Sequence, residues 1–293
     1  MYAMARNNVR LLDFHLLRLP GNCIVEQLVS FERLGFVDLS WADMSSTILF
    51  KDHGNVLARH VKTLKGLSLR DTSVGRDKET ISGLVQLSNL EYLDLSKPSR
   101  RHQSCFREHD LQDLRKLKKL VWLNLSGNAI SDLTVISICS EILTLRHVGL
   151  ACCPISSQVL EFLSNLPLQT LDINGCKKIT DDSFADLLNI RTSRCAQNIE
   201  TLLCSFLHLP TRVTSNLLLD LPCLRAIEMR RTAVCPSVAK TLSSKLEIAI
   251  FCHTDQLEHR CIPDMYNRYG MNEVMDYLSW PYTSHIEKNH VSW

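Results

Sequence analysis

Long apolar runs are absent from this sequence of 293 residues. The longest stretch without Asp, Glu, Lys or Arg runs only from His147 to Leu160 and includes a His and a Pro. A membrane-spanning helix needs about 20 mostly apolar residues, so we expect no membrane span. The segment from Val9 to Leu19 mixes charged residues with its apolar ones, unlike the core of a signal peptide. We therefore expect an intracellular protein, located in the cytoplasm or the nucleus.

An excess of positive charge is also absent, because 33 Lys and Arg residues face 31 Asp and Glu residues and leave a net charge of +2. Proteins that bind nucleic acids usually carry a clear basic excess. Two basic stretches stand out, Arg100–His102 and Arg115–Lys119. Acidic residues at positions 108, 110 and 113 precede the second stretch, which favours the solvated face of a helix. We therefore expect no nucleic-acid partner.

Sequence motifs of common catalytic and nucleotide-binding sites are missing. There is no Gly-x-Gly-x-x-Gly or Gly-x-x-x-x-Gly-Lys loop, no Gly-x-Ser-x-Gly elbow and no His-Glu-x-x-His motif. The 10 glycines also leave little material for loops that surround phosphate groups. We therefore predict that the protein is not an enzyme and uses no cofactor or metal.

Disulfide and metal-site patterns are lacking although the chain has 12 cysteines. None of them forms a Cys-x-x-Cys pair, so we expect reduced and mostly buried thiols. We interpret Cys152 and Cys153 as one loop thiol and one buried thiol, with a redox-active pair as the alternative. Four possible metal ligands lie close together near the end of the chain, but their spacing matches no common zinc site: Cys252, His253, His259 and Cys261.

What the sequence does have is a repeat, in which an apolar residue is followed by further apolar residues three and five positions later. Successive copies start 23 to 31 residues apart, close to the period of about 20–29 residues of leucine-rich repeats. A degenerate last strand is predicted within 246–251. The eight copies start at Leu34, Leu64, Leu90, Leu120, Leu145, Leu168, Ile199 and Leu224.

The repeat also contains a position at which leucine-rich repeats carry an asparagine. The stretch from Leu120 to Ile130 matches the pattern best and has that residue, Asn128. Other copies have a small polar or thiol side chain there, and we predict that these side chains partly replace the asparagine ladder: Thr72, Cys153, Cys176 and Thr232.

Strands that alternate with helices at this period predict the fold. Because successive side chains of a strand point to opposite faces, each repeat buries its leucines only by stacking on its neighbours. We predict an α/β leucine-rich-repeat solenoid (horseshoe) with a parallel concave sheet, helices on the convex side and helical N- and C-terminal caps. The predicted parts are a helical cap over 1–33, eight or nine repeats over 34–251 and a non-repeat tail over 252–293. Helices are predicted over Glu108–Leu120, over Asp181–Ile190 and from Pro236 onward.

The outward positions of the predicted strands form rows across the sheet. Aromatic residues beside carboxylates are typical of protein-binding surfaces. We predict that the concave face binds a polypeptide through Tyr92 and Trp122, flanked by Asp94, Asn124 and Asp172. The alternative is that these side chains only cover the sheet, since strands favour aromatic residues in any case. The candidate binding residues are Phe36, Tyr92, Asp94, Trp122, Asn124, His147, Asp172, Glu228 and Arg230.

Several segments resemble a known family: Leu19-Pro20, Val25–Leu28, Leu87–Ser96, Asn128–Leu133 and Leu171–Asp181. They look most like the Zyg/Zer family of leucine-rich-repeat substrate receptors for cullin-2 ubiquitin ligases, in a shortened or divergent form. The last of these segments is also similar to repeats of F-box proteins, which are the near alternative.

This resemblance implies a substrate-recognition subunit with an elongin-binding box before the repeats and an armadillo-like domain after them. Leu19 and Cys23 match the first two positions of the box pattern, whereas Gln27 stands where the pattern has an apolar residue. The resemblance therefore implies elongin and cullin-2 as partners, beside the polypeptide on the concave face. The alternative is a general intracellular leucine-rich-repeat scaffold without a role in ubiquitin ligation.

Overall fold

The computed structural model describes residues 9–14, 21–42, 49–50, 55–74, 78–97, 106, 108–179, 181–207, 217–230, 232 and 236–250. The chain divides into two units, residues 1–253 and 254–293, and every described element belongs to the first unit. Three features singled out in the sequence lie outside the described residues. These are the Cys and His residues between 252 and 261, the tail 252–293 and the basic stretch Arg100–His102.

One parallel sheet contains ten strands, and the order of the strands in the sheet is their order in the chain. Each strand is three residues long, and each pairs in register with the next. The predicted stacking of neighbouring repeats is thereby confirmed, including the last strand. The strands are β1 (Leu11–Asp13), β2 (Phe36–Asp38), β3 (Gly66–Ser68), β4 (Tyr92–Asp94), β5 (Trp122–Asn124), β6 (His147–Gly149), β7 (Thr170–Asp172), β8 (Thr201–Leu203), β9 (Ala226–Glu228) and β10 (Ile248–Ile250).

Short helices connect the strands. The helix predicted over Glu108–Leu120 is α-helical only at its start and continues as the 3₁₀ segment Gln112–Lys116. The helix predicted from Asp181 ends at Leu187, and the helix predicted from Pro236 begins there. The helices are α1 (Gly21–Ser30), α2 (Lys78–Leu84), α3 (Glu108–Leu111), α4 (Asp132–Glu141), α5 (Gln158–Ser164), α6 (Asp181–Leu187), α7 (Arg194–Asn198) and α8 (Pro236–Lys245), with a further 3₁₀ segment at Val56–His60.

The sheet begins earlier than predicted from the sequence. The segment 1–33 is predicted as a helical cap, but its residues Leu11–Asp13 form β1, which pairs with β2. The backbone N–H groups of Gly35 and Phe36 both donate to the Arg10 carbonyl, so β1 occupies the edge of β2. The helical part of the segment is α1, which buries Ile24 and Leu28 completely.

The hydrophobic core lies between the sheet and the helices. The middle residue of each strand from β2 to β9 points into it, as does the repeat residue two positions after it, and these side chains are almost fully buried. Phe36, Tyr92 and Trp122 are equally buried but do not belong to this core cluster, because they lie on the opposite side of the sheet. The residues of this other face therefore form a layer of their own, separate from the hydrophobic core.

A tight turn follows most of the strands, three residues after the strand ends. Its backbone has a positive φ angle, which glycine adopts readily. Glycine occupies this position in two repeats, as Gly127 and Gly175, and other residues occupy it in four repeats. In most of these repeats, the side chain of the residue after this turn donates hydrogen bonds to backbone carbonyls. Asn128 donates to the carbonyls of Leu95 and Leu125 at 3.0 and 2.9 Å.

The predicted replacements of this asparagine are confirmed. The hydroxyls of Thr72 and Thr232 each donate to a carbonyl of their own repeat, at 2.8 and 2.9 Å. The thiols of Cys153 and Cys176 reach the carbonyl of the preceding repeat, at 3.3 and 3.1 Å. Each of these side chains makes one of the two bonds that Asn128 makes, so the replacement is partial.

Candidate protein-binding surface

The concave face is the side of the sheet that points away from the core. Its first lane consists of the first residues of the strands, and its second lane consists of their third residues. A third lane follows two residues beyond the second. The register of the sheet places the members of each lane side by side. Every candidate binding residue predicted from the sequence lies in one of these lanes.

Four residues of the first lane form what we call the aromatic row: Phe36, Tyr92, Trp122 and His147. The Tyr92 and Trp122 rings are stacked, with their centroids 4.2 Å apart and their planes at 18°. The Phe36 and Tyr92 centroids are 5.3 Å apart, although β3 lies between their strands. This contact needs Gly66, because a Cβ atom there would lie 2.2 Å from Cδ2 of Phe36. This role of Gly66 was not predicted. Its signal in the sequence is a glycine that stands between two aromatic residues of the same lane.

The aromatic row is shielded from water and uncharged. Tyr92 and Trp122 are each 2 % exposed, and His147 is also buried. Burial, with a smaller effect of Arg146, lowers the pKa of His147 to about 4. Its imidazole is therefore neutral at physiological pH, with Nδ1 3.0 Å from the Thr170 hydroxyl.

In four strands the second-lane side chain turns back onto the backbone. Asp38, Asp94, Asn124 and Asp172 each accept a hydrogen bond from the N–H two residues later, at 2.8–3.0 Å. Such Asx turns fix the chain where it leaves a strand. This structural role was not predicted, although its signal is visible in the sequence as Asp or Asn followed two positions later by Ser or Asn.

Burial dominates the electrostatics of this lane. It raises the pKa of Asp94, against the opposing effect of Arg70. It raises the pKa of Asp172 to about 7, and the nearby charge of Glu228 adds to the increase. Burial likewise raises the pKa of Glu228, against the effects of Arg230 and Ser205.

Five residues near the C-terminal end of the face form what we call the polar cluster: Asp172, Asn174, Ser205, Glu228 and Arg230. Oδ1 of Asn174 accepts from the Ser205 N–H at 2.6 Å, and the Ser205 hydroxyl oxygen accepts from the Arg230 N–H at 2.9 Å. The Ser205 hydroxyl donates to Oε1 of Glu228 at 3.3 Å, and Nε of Arg230 lies 3.0 Å from the same oxygen. The structure thus joins Asp172, Glu228 and Arg230, which were predicted separately, through two residues that the sequence analysis did not select.

The structure separates the candidate residues into two groups. Phe36, Tyr92, Trp122 and His147 share the aromatic row, and Asp94 and Asn124 lie next to it in the second lane. The side chains of Asn124 and Asp94 approach to 3.5 Å, between Nδ2 and Oδ2. Asp172, Glu228 and Arg230 belong to the polar cluster farther along the sheet.

Two cations of the basic stretch form ion pairs. Lys116 pairs with Asp113 at 3.0 Å, and Lys118 pairs with Glu141 at 2.7 Å. All four basic residues are exposed, so the predicted solvated face is confirmed. Of the three acidic residues expected to balance it, Asp113 is the one that pairs with the stretch.

Cysteines and metal ligands complete the chemistry of the described residues. The eight cysteines among them form no disulfide, and Cys153 is buried while Cys152 is exposed, as predicted. Burial raises the pKa of Cys139, Cys153 and Cys195 to about 12, so that these thiols stay protonated. In the described part of the chain, no three His, Cys, Asp or Glu side chains are grouped closely enough to hold a metal ion. No helix in that part is long and apolar enough to cross a membrane.

Comparison with solved structures places this architecture among known folds. An internalin of Listeria monocytogenes matches with a TM-score of 0.50 and 14 % identity, over 84 % of this chain and 68 % of its own. A leucine-rich-repeat protein of Leptospira interrogans matches with a TM-score of 0.50 and 20 % identity, over 85 % of this chain. The match covers 56 % of the Leptospira protein. No family model and no curated protein matches the sequence. The repeats, the parallel sheet and these likenesses together show that the chain has the fold of a leucine-rich-repeat solenoid.

Proposed function

We propose that the protein is a protein-interaction module that binds a polypeptide on its concave face. The observation that carries this proposal is the aromatic row. Tyr92 and Trp122 lie on the side of the sheet that the core does not use, and they are packed as tightly as core residues. Trp and Tyr are enriched among the few residues that dominate the binding energy of protein interfaces.

The charges of the face indicate the chemistry of the partner. Five acidic residues occupy the second lane, Asp13, Asp38, Asp94, Asp172 and Glu228, and two arginines occupy the third, Arg70 and Arg230. The face is therefore negative overall when its carboxyl groups are ionised. Complementary charge favours correct partners and disfavours wrong ones. We propose that the partner is a basic polypeptide segment that places apolar side chains on the aromatic row.

Selection from a displayed library of random linear peptides tests this proposal. The full chain should enrich basic peptides with apolar residues, and Tyr92→Ala or Trp122→Ala should weaken their binding about tenfold or more, equivalent to at least 1.4 kcal/mol. The matched control is Leu133→Ala, which removes an apolar side chain that is 72 % exposed on α4 and should leave binding unchanged.

Tyr92→Phe and Trp122→Phe keep the proposal testable if the alanine variants do not fold. Circular dichroism verifies the fold of each variant before its binding is measured. Enriched peptides that bind all folded variants equally well would refute the concave face as the binding site. A selection that enriches no peptide would refute the proposed function itself.

A narrower form of the proposal makes the protein a substrate receptor of a cullin-2 ubiquitin ligase. Two observations support it: the described part of the box resemblance, from Gly21 onward, is helical in α1, and Cys23 on that helix is exposed. A third observation opposes it, because Leu28, the apolar residue closest to the third box position, is fully buried in the core. The free thiols of the described cysteines are consistent with a reducing compartment, the cytoplasm or the nucleus.

Binding of purified elongin tests this narrower form. Elongin should bind the full chain and should lose affinity for the Cys23→Asp variant, whereas the exposed Cys223→Asp variant serves as the control. Absence of elongin binding, with peptide binding retained, leaves a general leucine-rich-repeat scaffold as the function.

A further inference from the structure

Two buried polar atoms of the polar cluster have neither a hydrogen bond nor an ion-pair contact among the described residues: Oε2 of Glu228 and Nδ2 of Asn174. A third, Nε of Arg230, makes no hydrogen bond but lies 3.0 Å from Oε1 of Glu228. Glu228 is 0 % exposed and Asn174 is 1 % exposed, so bulk water does not satisfy these atoms. A buried polar atom without a partner costs about 1–3 kcal/mol. Two of them in one cluster indicate a site that is completed by another molecule.

The chemical character of both atoms is fixed by the bonds that their side chains already make. Oδ1 of Asn174 accepts from the Ser205 N–H, so the remaining atom of the amide is a donor. Oε1 of Glu228 is occupied by Arg230 and by the Ser205 hydroxyl, so the remaining oxygen is a negatively charged acceptor. The missing molecule must therefore offer a donor to Glu228 and an acceptor to Asn174.

The unpaired oxygen of Glu228 favours a cationic donor. Burial raises the pKa of Asp172 to about 7 and Arg70 acts on it as a nearby positive charge, so Glu228 is the main acceptor of the cluster. Its Oε1 pairs with Arg230, whereas its Oε2 has no donor. A cationic donor would satisfy this oxygen better than a neutral one, because hydrogen bonds between charged groups are roughly twice as strong as neutral ones. A divalent metal is disfavoured because no group of three metal-ligating side chains exists in the described ranges.

We propose that the polar cluster receives a Lys or Arg side chain of the bound polypeptide. In this arrangement Glu228 Oε2 accepts a hydrogen bond from the cationic group, and Asn174 Nδ2 donates to a backbone carbonyl of the same segment. The inference rests on the proposed function and makes it specific: the aromatic row binds apolar side chains, and the polar cluster selects a basic residue.

A double-mutant cycle with the tightest selected peptide tests this assignment. Each basic residue of the peptide is replaced in turn by Met, which preserves length and removes the charge. One Lys→Met or Arg→Met replacement should weaken binding to the wild-type chain about tenfold and should have little effect on binding to Glu228→Gln. Asn174→Leu should weaken every peptide by a similar factor, because it removes the backbone contact. The control Glu161→Gln, an exposed acid on α5, should behave as wild type.

The outcomes separate this inference from the proposed function. Selected peptides without Lys or Arg, or a Met replacement that costs as much with Glu228→Gln as with wild type, overturn the cation site alone. Loss of binding only with Trp122→Ala would then leave the aromatic row as the binding surface. Absence of any peptide binding overturns both proposals.

Discussion

The two halves of the concave face have the same backbone and opposite chemistry. Strands β4–β6 carry the stacked rings and the neutral imidazole of the aromatic row, whereas the first lane of β7–β9 has only Thr170, Thr201 and Ala226. The middle residues that point into the core hardly change between the halves, being Leu or Val in the first and Leu or Ile in the second. The fold therefore constrains one side of each strand and leaves the other side free to differ.

The comparison also separates two ways of holding neighbouring strands together. In the aromatic half, large rings pack across the strands and fill the face with apolar surface. In the polar half, side chains bond to the backbone N–H groups of the next repeat, as Asn174 does to Ser205 and Ser205 to Arg230. The stability that ring packing contributes depends on the apolar area that is buried. The stability that the hydrogen bonds contribute depends on their geometry and on the charge of the cluster.

The largest difference between the halves should appear when first-lane side chains are truncated. Trp122→Ala removes a buried ring and its stacking contact, so we expect the free energy of unfolding to fall by about 3–5 kcal/mol. Thr201→Ala, at the equivalent position of the polar half, should cost only about 1 kcal/mol. Guanidinium unfolding followed by circular dichroism measures both changes. Equal losses would mean that the aromatic row does not stabilise its half of the face.

A smaller difference should appear at the two turn glycines. Gly127 follows β5 in the aromatic half, Gly175 follows β7 in the polar half, and both have positive φ angles. A Cβ atom at Gly127 would lie 2.2 Å from the backbone carbonyl oxygen of Lys97, whereas at Gly175 it would lie 3.1 Å from the Sγ atom of Cys152. We expect Gly127→Ala to cost about 3 kcal/mol, because the backbone must move, and Gly175→Ala about 1–2 kcal/mol.

Thermal unfolding of both glycine variants measures this pair of effects. Gly175→Ala combined with Cys152→Ala serves as the control, since removing the thiol should reduce the cost to the backbone strain alone. A larger loss at Gly175 than at Gly127 would contradict the assigned contacts.

The strands could be predicted from the sequence because the apolar positions of the repeat mark where each strand lies. The apolar positions of Leu90–Leu95 and Leu120–Leu125 fix which side of each strand is buried, and their spacing fixes which strands are neighbours. Strand β1 was not predicted, although Val9, Leu12 and Phe14 carry the apolar pattern 25 residues before Leu34. These residues were assigned to the helical cap, and the pairing of β1 with β2 shows that they belong to a further copy of the repeat.

The candidate residues could be predicted as members of one face but not in their roles. The pattern placed Asp94 and Asp172 outward, yet it could not show that each closes a turn on its own backbone. The contacts of Phe36 across Gly66 depend on ring orientation, which the spacing of residues does not determine. The polar cluster depends on Asn174 and Ser205, whose residue types are common and carry no distinctive sequence signal.

The electrostatic difference between the halves has a consequence for stability that depends on pH. Burial raises the pKa of Asp172 to about 7 in the folded chain, whereas an unfolded Asp titrates near 3.8. Between these values the folded chain binds a proton that the unfolded chain has released. This contribution to stability is therefore fully present below about pH 4 and is lost as the pH rises toward 7.

The Asp172→Asn variant should remove this pH dependence while it keeps the turn. An asparagine already makes the equivalent turn at Asn124, where Oδ1 accepts from the Ser126 N–H at 3.0 Å. We expect the wild-type chain to lose roughly 2–3 kcal/mol more unfolding free energy than Asp172→Asn between pH 5 and pH 8. Urea unfolding at both pH values measures the difference, and Asp186→Asn, an exposed acid on α6, should follow the wild type. Parallel pH profiles of wild type and Asp172→Asn would mean that the carboxyl group ionises freely, because water or a nearby cation stabilises its charge.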